Sequence, residues 1–138
     1  MVKRILVGFD GSNVSMKALL FGIKIAKNRN GDVLVLEVIE SPIRYGLENY
    51  QLEDHRIREK VVIHEELMKR LSVEHDVPIY FKIDRGYPPH VIAKYADKEN
   101  VDLVVVGTRG IKGLKKIFVE SVSTKVIETV KKPILIVK

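Results

Sequence analysis

A valine run ends at glycine in Val104-Val105-Val106-Gly107-Thr108-Arg109-Gly110, and Ser121-Val122-Ser123 follows eleven residues later. β-Branched residues that stop at two glycines read as a buried strand emptying into a loop, whose amides can hold an anion. Ser121 and Ser123 then open the next helix, where unpaired N–H groups and the helix dipole also favour negative charge. Strand, loop and helix start together make a phosphate-sized site. Glu120 opposes it, a carboxylate standing where an anion-binding loop least wants one.

A complementary group closes the first apolar run, in Phe9-Asp10-Gly11-Ser12. Asp10 could serve as a catalytic carboxylate, accept from backbone amides at the strand end, or accept from a ligand's amino or hydroxyl group. No partner acid or base accompanies it, so binding is favoured over catalysis. One end of such a site accepts hydrogen bonds and the other donates them, as a nucleotide's base or ribose and its phosphates demand. The plainer alternative is that Gly107 and Gly110 are ordinary loop glycines after a strand.

Other chemistries find less support. There is no Walker pattern of spaced glycines followed by Lys-Ser or Lys-Thr, and no GxGxxG after the first strand. The histidines, His55, His64, His75 and His90, lack the short paired spacing of helical metal ligands. His64 falls on the apolar seam of a helix, where a satisfied core histidine is the simpler expectation. No G-x-S-x-G elbow with a partnered histidine suggests a serine hydrolase. Cysteine is absent, which excludes disulfides, thiolate catalysis and Cys-based metal sites.

The chain has 138 residues, 46% hydrophobic and 30% charged, the proportions of one globular domain spanning 1–138. No apolar run approaches the roughly 20 residues of a membrane span. Met1-Val2-Lys3-Arg4-Ile5-Leu6-Val7 reaches Asp10 too soon for a signal peptide, so a cytoplasmic location is expected. From Gly107 onward, eight lysines and arginines stand against two acids, which equals the entire formal excess of +6. A basic field beside a glycine loop suits a phosphorylated ligand. It argues less for nucleic acid, because aromatic residues do not interleave with the basic ones. A solvated, lysine-rich surface remains the simplest account of the charge alone.

Five apolar runs predict strands at Ile5–Phe9, Val33–Ile39, Ile79–Ile83, Leu103–Val106 and Ile134–Val137. Most lack polar–apolar alternation, as expected for parallel strands covered on both faces. Helical periodicity fills the gaps. Ser12 can cap a first helix carrying Met16, Leu19, Leu20, Ile23 and Ala26 on one stripe, ended by 28–31. Ile57, Val61, His64, Met68 and Leu71 share a face of the second. Pro88-Pro89 opens a third, running to about Asn100, and a fourth from near Ser121 presents Val122, Val126 and Val130 before Pro133. Residues 41–52 read as a polar, Tyr-containing loop. This alternation specifies an α/β domain with a largely parallel sheet and right-handed crossovers. The strand ends at Phe9–Ser12, Val38–Glu40, Arg85-Gly86 and Gly107–Gly110 would then share one rim, where open α/β sheets bind ligands.

At these residues the chain resembles the universal stress protein family, over nearly its full length. Lys-Arg-Ile-Leu-Val-Gly-Phe-Asp-Gly-Ser at 3–12 is similar to that family's first strand and Asp-containing turn. Residues 85–92 resemble its glycine and helix-opening proline, and residues 101–110 and 132–137 its last two strands. The resemblance implies an open five-stranded parallel sheet in the order 3-2-1-4-5 with helices on both faces, the adenine nucleotide alpha hydrolase-like fold. Periodicity alone does not supply that order. It also implies a homodimer formed through the last strand, Ile134, Leu135, Ile136 and Val137. That strand would otherwise leave an unprotected apolar edge.

Family members that bind ATP show glycine, two residues, glycine, nine residues, then glycine and Ser or Thr. Gly107, Gly110 and Ser121 match, and Glu120 replaces the third glycine. By the same resemblance Asp10 and the backbone near Val38 would hold the adenosine end. Gly107, Arg109, Gly110, Ser121, Val122 and Ser123 would surround ribose and phosphates of ATP or AMP, with Mg accompanying ATP. The expected function is a small-ligand binding or signalling module of the stress response, hydrolysing ATP slowly if at all. Its alternative is a nucleotide-free homodimer acting through protein partners. An enzyme of another α/β family that uses Asp10 or a histidine is a further rival, marked by turnover lost on Asp10→Ala.

Two like charges at ~4 Å and an effective dielectric of ~20 repel by about 4 kcal/mol, nearly three decades of affinity. Rotation to solvent, or pairing with Arg109 or Lys112, would recover much of that. Alternatively, the Glu120 carboxylate itself occupies the anion position at the helix start. Glu120→Gly is therefore expected to raise ATP affinity, read by calorimetric titration; no gain removes Glu120 as the obstacle.

Overall fold

The computed structural model describes residues 3–40, 47–108 and 125–138, with 47–54 as backbone. In chain order the elements are β1 (Arg4–Gly8), α1 (Asn13–Asn28), β2 (Asp32–Ile39), α2 (Leu47–His75), β3 (Ile79–Arg85), α3 (Pro88–Lys98), β4 (Leu103–Gly107) and β5 (Ile134–Val137). Residues 125–129 add a helical segment before β5. The strands form one five-stranded sheet in the order β3-β2-β1-β4-β5. Every pairing is parallel.

Two apolar layers sandwich the sheet. On one face Ile5, Val7, Val33, Val35 and Val105 meet Leu19, Ile23 and Ala26 of α1 and Met68 and Leu71 of α2. On the other, Leu6, Leu34, Leu36 and Val104 meet Ile92 and Ala96 of α3 and Val126 and Val130. Burial on both sides explains why β1, β2 and β4 read as unbroken apolar runs. Edge strand β3 differs, because Ile79, Phe81 and Ile83 are partly buried while Tyr80, Lys82 and Arg85 stand exposed.

The predicted helix starts and stops mostly hold. Ser12 caps α1, its side chain accepting from the Ser15 amide, and Asn30 reverses the chain at φ 52°. Proline stands in the first turn of α3. Two expectations need correction. Residues 47–52 are helical, not loop: beyond Gly46 the sequence holds leucine, glutamate and glutamine with no glycine or proline, and the helix extends back through them. Leu20, assigned to the buried stripe of α1, is 42% exposed, because the inner face is built from Ser15, Ala18, Leu19, Gly22, Ile23 and Ala26. Small residues let that helix lie close to the sheet. The start of the fourth helix near Ser121, including Val122, lies outside the described residues.

The amino-terminal edge is tied by Asp102. Its Oδ2 accepts the backbone N–H groups of Arg4 and Lys3, each at 2.9 Å. Chiefly the Arg4 amide, then that of Lys3, hold this carboxyl below its ordinary value of 3.8. A carboxyl depressed on folding contributes stability that is complete above the ordinary value and is lost as pH falls through the lower folded one. Asp102→Asn is expected to lower stability near neutrality while leaving less to lose in acid. Urea midpoints at about pH 7 and about pH 3 should differ less in the variant than in the wild type, and equal differences would contradict this role.

Candidate functional site

Because all strands run the same way, their carboxyl ends share one edge. Gly8 pairs with Leu36 and Val7 with Val105. Carried two residues further, these registers set Asp10 beside Val38 and Phe9 beside Gly107. The Phe9 amide donates to Leu36 O at 3.0 Å, so the chain stays on the sheet one residue beyond β1. Of the residues expected to form the site, Asp10, Val38 and Gly107 thus gather at the edge where β1 lies between β2 and β4. Arg109, Gly110, Ser121, Val122, Ser123 and Glu120 lie outside the described residues.

The turn after β1 is tightly organised. Asp10 Oδ1 accepts the Ser12 amide at 2.9 Å, and the Asp10 amide donates to Ser15 Oγ at 3.3 Å. Of the roles open to this carboxylate, accepting from backbone amides is therefore met by one oxygen. Gly11 adopts φ +88°, a conformation that disfavours any side chain. Gly107 is needed for a different reason: a Cβ there would stand 2.3 Å from Val14 Cγ1, so the amino end of α1 rests directly on the end of β4. Gly107 is thus accounted for by the packing of α1 on β4.

Around the rim, Val38 pairs with Asp84 on β3. The Arg85 amide, then the Tyr95 hydroxyl, hold the Asp84 carboxyl below its usual range. Burial, then Asp84 itself, pushes Tyr95 up. This network satisfies itself at the β3 edge.

The histidines are scattered. His55 pairs with Glu59 one helical turn on, His75 ends α2, and His90 packs edge-on against Tyr87. His64 is buried, as its place on the apolar seam predicts, and its partner is one that sequence reading missed. Glu37, in the middle of β2, is 1% exposed, and its Oε1 lies 2.6 Å from His64 Nδ1. An acid inside the run Val33-Leu34-Val35-Leu36-Glu37-Val38 was the available signal.

The universal stress protein family model matches residues 1–138. The chain belongs to the universal stress protein family. Universal stress protein MJ0531 of Methanocaldococcus jannaschii is 32% identical, over 99% of this chain and 82% of its own length. Universal stress protein YxiE of Bacillus subtilis is 32% identical, with 100% of both chains covered. Among solved structures, MJ0577 superposes with a TM-score of 0.81 at 29% identity, covering 100% of this chain and 96% of its own. The same fold is found in a universal stress protein in complex with cAMP (TM-score 0.64, 23% identity, 99% and 96% covered). It recurs in one from Archaeoglobus fulgidus in complex with dAMP (0.68, 18%, 100% and 98%). The strand order expected from the family resemblance is the one observed in this universal stress fold.

Proposed function

We propose that the crevice between β1 and β4 binds an adenine nucleotide, ATP or AMP, and that the protein is a binding or signalling module of the cytoplasmic stress response rather than an enzyme of rapid turnover. The observation that carries this reading is the gathering of Asp10, Val38 and Gly107 at the edge where the winding of the sheet reverses. Family members solved with cAMP and dAMP support it. In this reading the Asp10 carboxylate accepts from ribose or base, and the Val38 backbone lines the adenosine end. Gly107, Arg109, Gly110, Ser121, Val122 and Ser123 face ribose and phosphates, and Mg accompanies ATP. Glu120 favours a second reading, a nucleotide-free protein that acts through protein partners.

Thermal denaturation separates the two. A ligand at a hundred times its Kd adds about 2.7 kcal/mol, a rise of several degrees in Tm for a chain this size. ATP or AMP is expected to give that rise, and Asp10→Asn, which keeps an acceptor for the Ser12 amide but loses the charge, should abolish most of it. No shift in either the wild type or Glu120→Gly would leave the nucleotide-free reading.

We further propose that two copies pair through β5, which ends the sheet with Ile134, Leu135 and Ile136 partly buried. The carbonyls of Pro133 and Val137 accept from the amides of Val104 and Thr108, so by the strand period of two the N–H of Ile136 points away from the sheet. Ile136→Pro removes that outward donor without breaking the β4–β5 ladder. Light scattering should then find monomers where the wild type is dimeric; an undisturbed dimer places the interface elsewhere.

A further inference from the structure

Beneath the β1–α1 turn lies a charged cluster that the proposed binding site does not use. Glu37 of β2 is 1% exposed, and His64 of α2 is 8% exposed. Lys60 Nζ, one turn earlier on α2, stands 3.3 Å from Glu37 Oε2. That is ion-pair distance without hydrogen-bond alignment, for Oε2 has no hydrogen-bonding partner. Glu37 as a carboxylate can only accept, so His64 Nδ1 carries the proton and donates to Oε1 at 2.6 Å. Phe9 and Phe81 meet the imidazole edge-on, with centroids 5.0 and 6.5 Å away. The ring is therefore held by its plane and by one nitrogen.

The opposite nitrogen is aimed at the rim. A Cβ on Gly11 would lie 3.1 Å from His64 Nε2 and 3.3 Å from Cε1. The imidazole edge thus rests against the underside of the Asp10-Gly11-Ser12 turn, whose upper side is held by the Asp10–Ser12 and Asp10–Ser15 hydrogen bonds. Nothing about packing demands polarity here. The surroundings include Phe9, Phe81 and Met68, and a well-packed apolar pair commonly serves stability as well as a buried ionic one.

We infer that His64, oriented by Glu37, is a positioning residue that fixes the Asp10 turn from below and thereby sets the affinity of the rim site. The ligand side of this inference rests on the nucleotide reading; the clamp itself does not. His64→Asn keeps a side-chain amide to donate to Glu37 but has no atom at the Nε2 position. His64→Gln places an amide nitrogen near that position.

With ATP as the probe, His64→Asn is expected to bind about tenfold more weakly, a size that indirect contacts reach. Its Tm without nucleotide should stay within about 3 °C of the wild type, and His64→Gln should recover part of the affinity. Independently of any ligand, hydrogen exchange of the Ser12 amide should quicken in His64→Asn and be partly restored in His64→Gln. Unchanged exchange overturns the clamp. Quicker exchange with undiminished ATP affinity overturns the positioning role, as does an affinity loss that only tracks global stability. If the wild type binds no ATP, the nucleotide reading fails, and Ser12 exchange alone decides the clamp. Should His64→Asn not fold, Glu37→Gln, which keeps the shape and one acceptor, undergoes the same two measurements.

Discussion

Strand β1 is paired on one side with β2 and on the other with β4. From β1 the chain winds outward through α1 to β2 and β3, then crosses back to place β4 on the far side and β5 beyond it. Connections leaving β1 and β4 therefore part in opposite directions, the kind of point at which open α/β sheets bind ligands. No other pair of neighbours in this sheet has that property. The position of Asp10 relative to Gly107, and hence the whole case for a ligand, follows from this one reversal.

Two devices shape these strand ends. At β4, Gly107 admits Val14, so α1 begins in contact with the neighbouring strand instead of standing off from it. At β1, the turn is stitched by Asp10, Ser12 and Ser15 above and abuts His64 below. Glu37 Oε2, buried without an aligned hydrogen bond, faces Lys60 Nζ at 3.3 Å.

Much of this is legible in the residues. Ile134–Val137 reads from the sequence with the bounds observed, because an apolar run between Pro133 and the last lysine leaves no other choice. Strand order is legible only through family likeness, since period and length say which segments are strands but not which are neighbours. Residues 47–52 read as loop because the stretch is polar and carries tyrosine, and neither feature excludes a helix. Counting large side chains misplaces Leu20, whereas Ala18 and Gly22 lie on the buried face. The rim residues Asp10 and Gly107 can be found because glycine and aspartate after apolar runs are local signals. Glu37 and His64 cannot be joined, since 27 residues separate them and only the sheet brings them together.

The central claim is that the carboxyl edge between β1 and β4 is where a ligand sits, and amide chemical-shift mapping of the labelled protein during an AMP titration tests it most directly. The account predicts saturable shifts concentrated at Asp10–Ser12, Val38 and Gly107–Thr108. Shifts confined to the opposite edge, around Asn30 and Asp76, or none at saturating AMP, would contradict it.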